Sequence, residues 1–324
     1  MKNVLKLGVK GLRALAGENT ALERFLEHQY RNAKSKIDKK VVGNNFTLFW
    51  SDNPGENNIG IYSKGSCDLA SIFACTPKIH RVLNGTCCIT REGLVSDARS
   101  DLLLQTLEEI PDEHVAAVTE KLKLPDYYFK PSFLEPTFTV PEFEELGEFP
   151  KKVVVIAISA DAVRTLYRHK EHGFLVDPGG WWLNQSADKV LPDLTVATWF
   201  QENFESVGRI SVEDFVENFT KIIKLIKSRT GAHVLVFNSL TIEPGNLTHN
   251  YQFVKNPHWL RRRDFYLALA ELSAKLDFAI VDVDRILKKV GVLETQVDFG
   301  HFPMEAYGPI SEEVFRILRD LEVF

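Results

Sequence analysis

The sequence contains no long apolar run. No stretch approaches the ~18 consecutive apolar residues of a spanning helix, so no membrane span is expected. Cysteine is scarce: Cys67, Cys75, Cys87 and Cys88 are the 4 in 324 residues, and all lie in the first third. Two of them are adjacent, which is no zinc spacing, and a chain of this length needs no disulfide staple. They read as reduced thiols, and the expected compartment is the cytoplasm. Positive charge is not in excess. The net charge of −5 argues against general binding to nucleic acid or to an anionic membrane. Internal repeats and low-complexity tracts are missing too. Residues 1–16 carry Lys6, Lys10 and Arg13, which interrupt any apolar core of a signal peptide. Leu5, Val9, Leu12 and Leu15 recur there at helical spacing and suit an amphipathic helix.

What is present is the mix of a soluble globular protein, 44% apolar and 26% charged. The length allows one large or two ordinary domains. Residues 1–35 read as helical, with Leu22, Phe25, Leu26 and Tyr30 on one face. Residues up to 150 are mixed α+β. Phe46 to Trp50 and Ile59 to Tyr62 read as short strands, and Val82 to Ile89 as a hairpin about Asn84-Gly85. Helical periodicity covers Asp97 to Leu107 and Asp112 to Leu122. A proline-rich connection follows, and a domain boundary is expected at 150.

Beyond Pro150 the pattern becomes regular. Five strands are expected: Lys152 to Ile158, Phe174 to Val176, Leu194 to Phe200, His233 to Phe237 and Phe278 to Asp282. Helices are expected over 160–169, 181–190, from Ser211 to the stop at Gly231, over 259–276 and over 312–321. Strands alternating with helices over 151–324 predict one doubly wound α/β domain with a parallel sheet. Ligands of such sheets bind beyond the carboxyl ends of the strands. The first expected strand ends at Ser159, the second at Gly179-Gly180, the third at Gln201-Glu202-Asn203 and the fourth at Asn238-Ser239. After the fifth comes a Gly- and Pro-containing loop with Asp298 and His301 three residues apart. An Asp that accepts from one imidazole nitrogen leaves the other free to take a proton from a nucleophile. A hydroxyl, glycine amides, a side-chain amide and an Asp–His pair are the groups an acyl transfer needs.

On these blocks, residues 151–324 resemble the SGNH, or GDSL-like, hydrolase family. That family is named for Ser, Gly, Asn and His in separate blocks, in that order, on a flavodoxin-like sheet. Asp298-Phe299-Gly300-His301 fits its Asp-x-x-His, and Phe302 to Gly308 resembles the helix approach that follows. The resemblance carries the serine to Ser159 and the glycine to Gly179 or Gly180. It departs elsewhere: Ala157-Ile158-Ser159-Ala160 stands for Gly-Asp-Ser-Leu, and Phe200-Gln201-Glu202-Asn203 for Gly-x-Asn-Asp. Strict spacing puts Glu202 at the amide position, but an ionised carboxylate cannot donate to an oxyanion, so Asn203 is the candidate. Ser239, in Asn238-Ser239-Leu240-Thr241, looks more like the serine block but leaves too few residues before His301 for the fold.

The resemblance implies a five-stranded flavodoxin-like sheet behind a mixed α+β segment of unknown role. It implies a serine esterase, acylhydrolase or acyltransferase acting on a small acyl ester such as an O-acetylated sugar. Ser159 would be the nucleophile, His301 the base, Asp298 its orienter, and Gly180 and Asn203 oxyanion donors, with no cofactor or metal. The alternative is a catalytically degenerate SGNH-fold binding module.

Overall fold

The computed structural model describes residues 38–42, 45–51, 59–65, 69, 86–91, 99–105, 110–124, 128–129, 150–178, 191, 193–238, 241, 257–291 and 304–323, with the backbone alone for 38–42, 45–51 and 86–91. Its strands are β1 (Asp38–Val42), β2 (Asn45–Ser51), β3 (Ile59–Lys64), β4 (Thr86–Arg91), β5 (Lys151–Ala157), β6 (Leu166–His169), β7 (Leu175–Val176), β8 (Phe204–Gly208), β9 (His233–Phe237) and β10 (Ala279–Val281). Its helices are α1 (Ser100–Gln105), α2 (Asp112–Leu122), α3 (Ser159–Val163), α4 (Leu194–Asn203), α5 (Val212–Thr230), α6 (Pro257–Ser273), α7 (Val283–Val290) and α8 (Met304–Asp320). Among the described residues, no helix is long and apolar enough to cross a membrane.

A seven-stranded sheet runs in the order β1-β2-β4-β3-β5-β9-β10. All pairings from β4 through β3, β5 and β9 to β10 are parallel, while β1–β2 and β2–β4 are antiparallel. The protein is therefore α/β with a parallel sheet. Its centre is apolar on both faces, as a sheet covered on both sides must be. Val153, Val155 and Ala157 pack with Leu235, Phe237 and Val281 against α7 and α8. Val154, Ile156 and Ile158 pack with Val234 and Val236 against α5 and α6. The alternation follows the two-residue period of a strand.

Three expected elements match closely. Ser211 caps α5, accepting from Asp214 N, and Gly231 ends it in the left-handed conformation at φ 64°. The β9 and α2 boundaries agree with the sequence reading. Other expectations are corrected. The sheet runs across residue 150: β3, from before the expected boundary, is hydrogen-bonded beside β5, from after it. Thr86–Arg91 is one strand between β2 and β3 rather than an arm of its own hairpin. Two of the five expected strands do not belong to the parallel sheet. Leu175–Val176 pairs antiparallel with β6 in a separate three-stranded sheet, β7-β6-β8. Leu194 to Phe200 is helix α4. Asp193 caps it by accepting from Val196 N, Ala197 and Phe200 are buried, and Leu194 is 82% exposed. That pattern suits one buried helical stripe, and the cap overrides the β-branched composition. The helix expected over 160–169 stops at Val163. Arg164 turns extended, at φ −78° and ψ 143°, and the chain enters β6.

The connection from β5 to β9 therefore carries an insert: β6, β7, α4 and β8, with α2 packed on it. Its core is aromatic, joining Tyr128, Phe129, Phe174, Phe200 and Phe204 to Val115 and Val118. Residues 1–35, the Asn84-Gly85 turn and the helix expected over 181–190 lie outside the described residues.

Candidate active site

Ser159 is the first residue of α3, directly beyond the end of β5. Ile158 before it still donates its N–H to Phe237 O at 3.3 Å, so the ladder to β9 holds the backbone up to the serine. The Ser159 Oγ is buried and has no hydrogen-bond partner among the described residues. A buried hydroxyl without a partner costs about 1–3 kcal/mol, and few are tolerated in a folded chain. Such a group is available to a reaction or to a ligand.

Gly65 stands opposite, at the end of β3. Its φ is +148°, and a Cβ built on it would lie 2.7 Å from the Ala157 Cβ. Only glycine permits this approach between the ends of β3 and β5. The sequence reading missed Gly65. A glycine directly after an apolar strand is the signal the sequence carries, but the boundary expected at 150 separates that strand from Ser159.

Two residues past Ser159, Asp161 is fully buried. It accepts from Ser100 N at 2.8 Å, and its Oδ2 has no hydrogen-bond partner among the described residues. Burial pushes its pKa up from 3.8 to about 7, against the opposing hydrogen bonds from Ser100. The short helix leaves its last carbonyls to be satisfied from outside. Arginines do this: Arg261 Nε donates to Ala162 O at 2.9 Å, and Nη2 donates to Asp161 O at 3.3 Å and to Ile210 O. Arg99 Nη1 donates to Arg164 O at 2.9 Å and to Gly208 O at 2.7 Å. Cations at a helix carboxyl end also complement its dipole.

The end of β9 is tied down differently. Asn238 Nδ2 donates to Asp282 Oδ1 at 2.8 Å, and Asn238 Oδ1 accepts from Asp284 N at 3.2 Å. Thr241 N and Oγ1 both donate to Asp284 Oδ1, at 2.8 and 2.9 Å, and Lys288 Nζ pairs with Asp284. The residues flanking Ser239 thus bracket the β9 turn to the start of α7. Ser239 itself is outside the described residues.

Asn203 does not lie at the end of a sheet strand. It ends α4, and its Nδ2 donates to Trp199 O, one turn back, at 2.7 Å. Gly179, Gly180, Asp298 and His301 lie outside the described residues. His169 ends β6, and His172 lies in the turn that follows it. His172 stacks on His114 with centroids 4.0 Å apart, and on His169 at 4.8 Å. His169 Nδ1 accepts from Glu171 N and His172 N, at 3.3 and 3.2 Å. Stacked rings meet through their faces, whereas metals bind ring nitrogens at the edges.

No protein-family model matches the chain. No curated protein matches it. Among solved structures, the chain is similar to the lipase/acylhydrolase from Enterococcus faecalis, at 13% identity and a TM-score of 0.41, over 82% of this chain and 97% of that one. A second solved structure aligns at 10% identity and a TM-score of 0.34, over 82% of this chain and 99% of the other. At these levels function has to be argued from the residues of the site itself.

Proposed function

We propose that the chain is a serine-dependent acyl-ester hydrolase or acyltransferase of the SGNH kind, acting on a small acyl ester such as an O-acetylated sugar. The observation that carries this is the buried Ser159 hydroxyl, without a partner among the described residues, at the carboxyl edge of the parallel sheet. The strand order supports this reading: numbered along the chain, the parallel strands run 2-1-3-4-5, the order expected of a flavodoxin-like sheet. The order reverses between β3 and β5, so the ligand crevice belongs outside the ends of those two strands. Ser159 and Gly65 both border that place.

In this proposal Ser159 Oγ attacks the ester carbonyl carbon while His301 takes its proton and Asp298 orients the imidazole. Gly180 donates to the oxyanion. Collapse expels the alcohol, which leaves with the proton from His301. Water or a second hydroxyl then accepts the acyl group. These steps draw on side chains and backbone alone. Asn203 is left out, because it ends a helix of the insert.

A second assignment within the same chemistry is favoured by one observation: β3 is the first parallel strand, and Ser159 follows the third. In a family whose serine block comes first, Ser66, next to Gly65, takes the nucleophile's place, and the Ser159 hydroxyl donates to the oxyanion. Labelling with a fluorophosphonate and mass mapping of the modified serine decides between them. Label on Ser159 supports the first assignment, and label on Ser66 the second. Label on Ser239 overturns both. No label together with no turnover of p-nitrophenyl acetate leaves the fold as a binding module. Ser159→Ala lowers kcat by about 10⁴-fold or more as nucleophile, and by about 10²–10³-fold as oxyanion donor.

A further inference from the structure

The chain is acidic overall, with a net charge of −5, yet its arginines gather beside the proposed site. Arg99 and Arg164 are matched there by carboxylates, at 2.9 Å from Asp101 and 2.8 Å from Asp177. Arg209 and Arg261 have no carboxylate within ion-pair distance among the described residues. Arg261 reaches from α6 to the carbonyls of Asp161 and Ala162, in the same short helix that Ser159 opens. It also holds Ile210 O, which places Arg209, the preceding residue, at the same corner. His258 stands one helical turn before Arg261 and Arg262 on α6, so the three share a face. The Arg262 guanidinium lies 4.6 Å from the Trp259 ring and is 3% exposed, whereas Arg209 is exposed. The carboxylates whose charge acts on Arg261 are Asp161, fully buried, and Asp264.

We infer that Arg209, Arg261 and His258, backed by Arg262, recognise an anionic group, a carboxylate or a phosphate, carried by the ester substrate at the edge of the Ser159 site. The inference rests on the proposed ester chemistry for its substrate but not for the site. Arginine presents a rigid fork of donors suited to oxyanions. A local cluster of one sign of charge also concentrates the opposite sign on a chain whose net charge is negative. Burial and the charges of Arg262, Arg209 and Arg261 push the His258 pKa down to about 4. His258 is then a neutral imidazole at neutral pH, and an anion placed among these groups reverses part of that push.

The test has a binding arm and a kinetic arm, both on the full chain. In the first, the His258 ring resonance is followed by NMR against pH, with and without inorganic phosphate, and separately with succinate. A saturable shift and a raised His258 pKa support the site, and the stronger of the two ions names the anionic group. A His258 titration that neither ion moves overturns the inference, whether or not the chain is an esterase. In the second arm, kcat/KM is compared for p-nitrophenyl acetate and the mono-p-nitrophenyl ester of succinate. Arg209→Glu lowers the ratio of anionic to neutral ester by about tenfold or more, the scale of one charge-assisted contact. Arg229→Glu, at the far end of α5, makes the same change in net charge and leaves the ratio unchanged. A ratio that Arg209→Glu does not move also overturns the inference. If neither ester is turned over while phosphate still moves His258, the ester chemistry fails and the anion site stands.

Discussion

The seven-stranded sheet and the three-stranded insert are built on different physics. The centre of the large sheet is aliphatic, alternates with a period of two, and takes helices on both faces. The insert is small and gathers aromatic rings, with Phe200 stacked on Phe204 at 4.5 Å and Phe129 edge-on to Phe174 at 5.4 Å. Polar clamps tie it to the rest. The buried Arg164–Asp177 pair joins the end of α3 to β7, and Asp177 N donates to Tyr128 Oη at 2.9 Å. The Gln105 side-chain amide lies along β7 like a missing strand, accepting from Leu175 N and donating to Leu175 O. A large sheet is held by area removed from water, whereas a small one needs specific partners to fix where it sits.

The contrast can be broken by mutation, and the largest effect is expected at the clamp. Arg164→Ala leaves Asp177 buried beside an empty place and lowers stability by about 3–5 kcal/mol in urea unfolding. Arg164→Met with Asp177→Leu recovers most of that. If the single substitution is silent, the insert is not held by this pair.

Gly65→Ala tests the meeting of the large sheet's strand ends. The added Cβ collides with Ala157 in a backbone conformation that resists side chains, and a loss of about 2–4 kcal/mol is expected. A wild-type midpoint would show that β3 and β5 do not approach as described.

Asp161 sharpens the comparison through pH. Its pKa is raised to about 7 in the fold and stands near 3.8 when unfolded. Between those values the folded chain keeps a proton that the unfolded chain has released. The stability this group contributes therefore falls as pH rises through the window, and levels off above about 7. Asp161→Asn keeps an acceptor for Ser100 N and cannot ionise. Its stability relative to wild type should rise by on the order of 1–4 kcal/mol between pH 4 and 8. A difference that stays flat with pH would place the carboxyl in a wetter environment. The smallest effect is the α5 cap, where Ser211→Ala should cost about 1 kcal/mol.

The large sheet was the more legible region. β5 and β9 carry runs of Val, Ile, Leu and Phe, and a strand buried on both faces has little other composition to use. The insert misled. Leu194 to Phe200 carries β-branched residues in a strand-like run, and only the Asp193 cap and the stripe of Ala197 and Phe200 declare a helix. Leu166 to His169 continues a helical pattern until β8 offers it hydrogen bonds. At the candidate site, Ser159 was found because a serine after a buried strand stands out. Gly65 was passed over because a glycine's purpose depends on what approaches it, and that neighbour is some ninety positions away.

By itself, the sequence determined the local matters: where buried strands run, where α5 starts and stops, and that an acid and a histidine lie three apart near residue 300. These follow from propensity, capping and periodicity, which act over a few neighbouring residues. Only the tertiary structure decided that β3 belongs beside β5, that Ser159 follows the third parallel strand rather than the first, and that Arg99 and Arg261 close the end of α3. Strand order and long-range hydrogen bonding are choices among distant partners of similar composition. They are settled by which arrangement buries the most apolar surface while leaving the fewest polar groups unpaired.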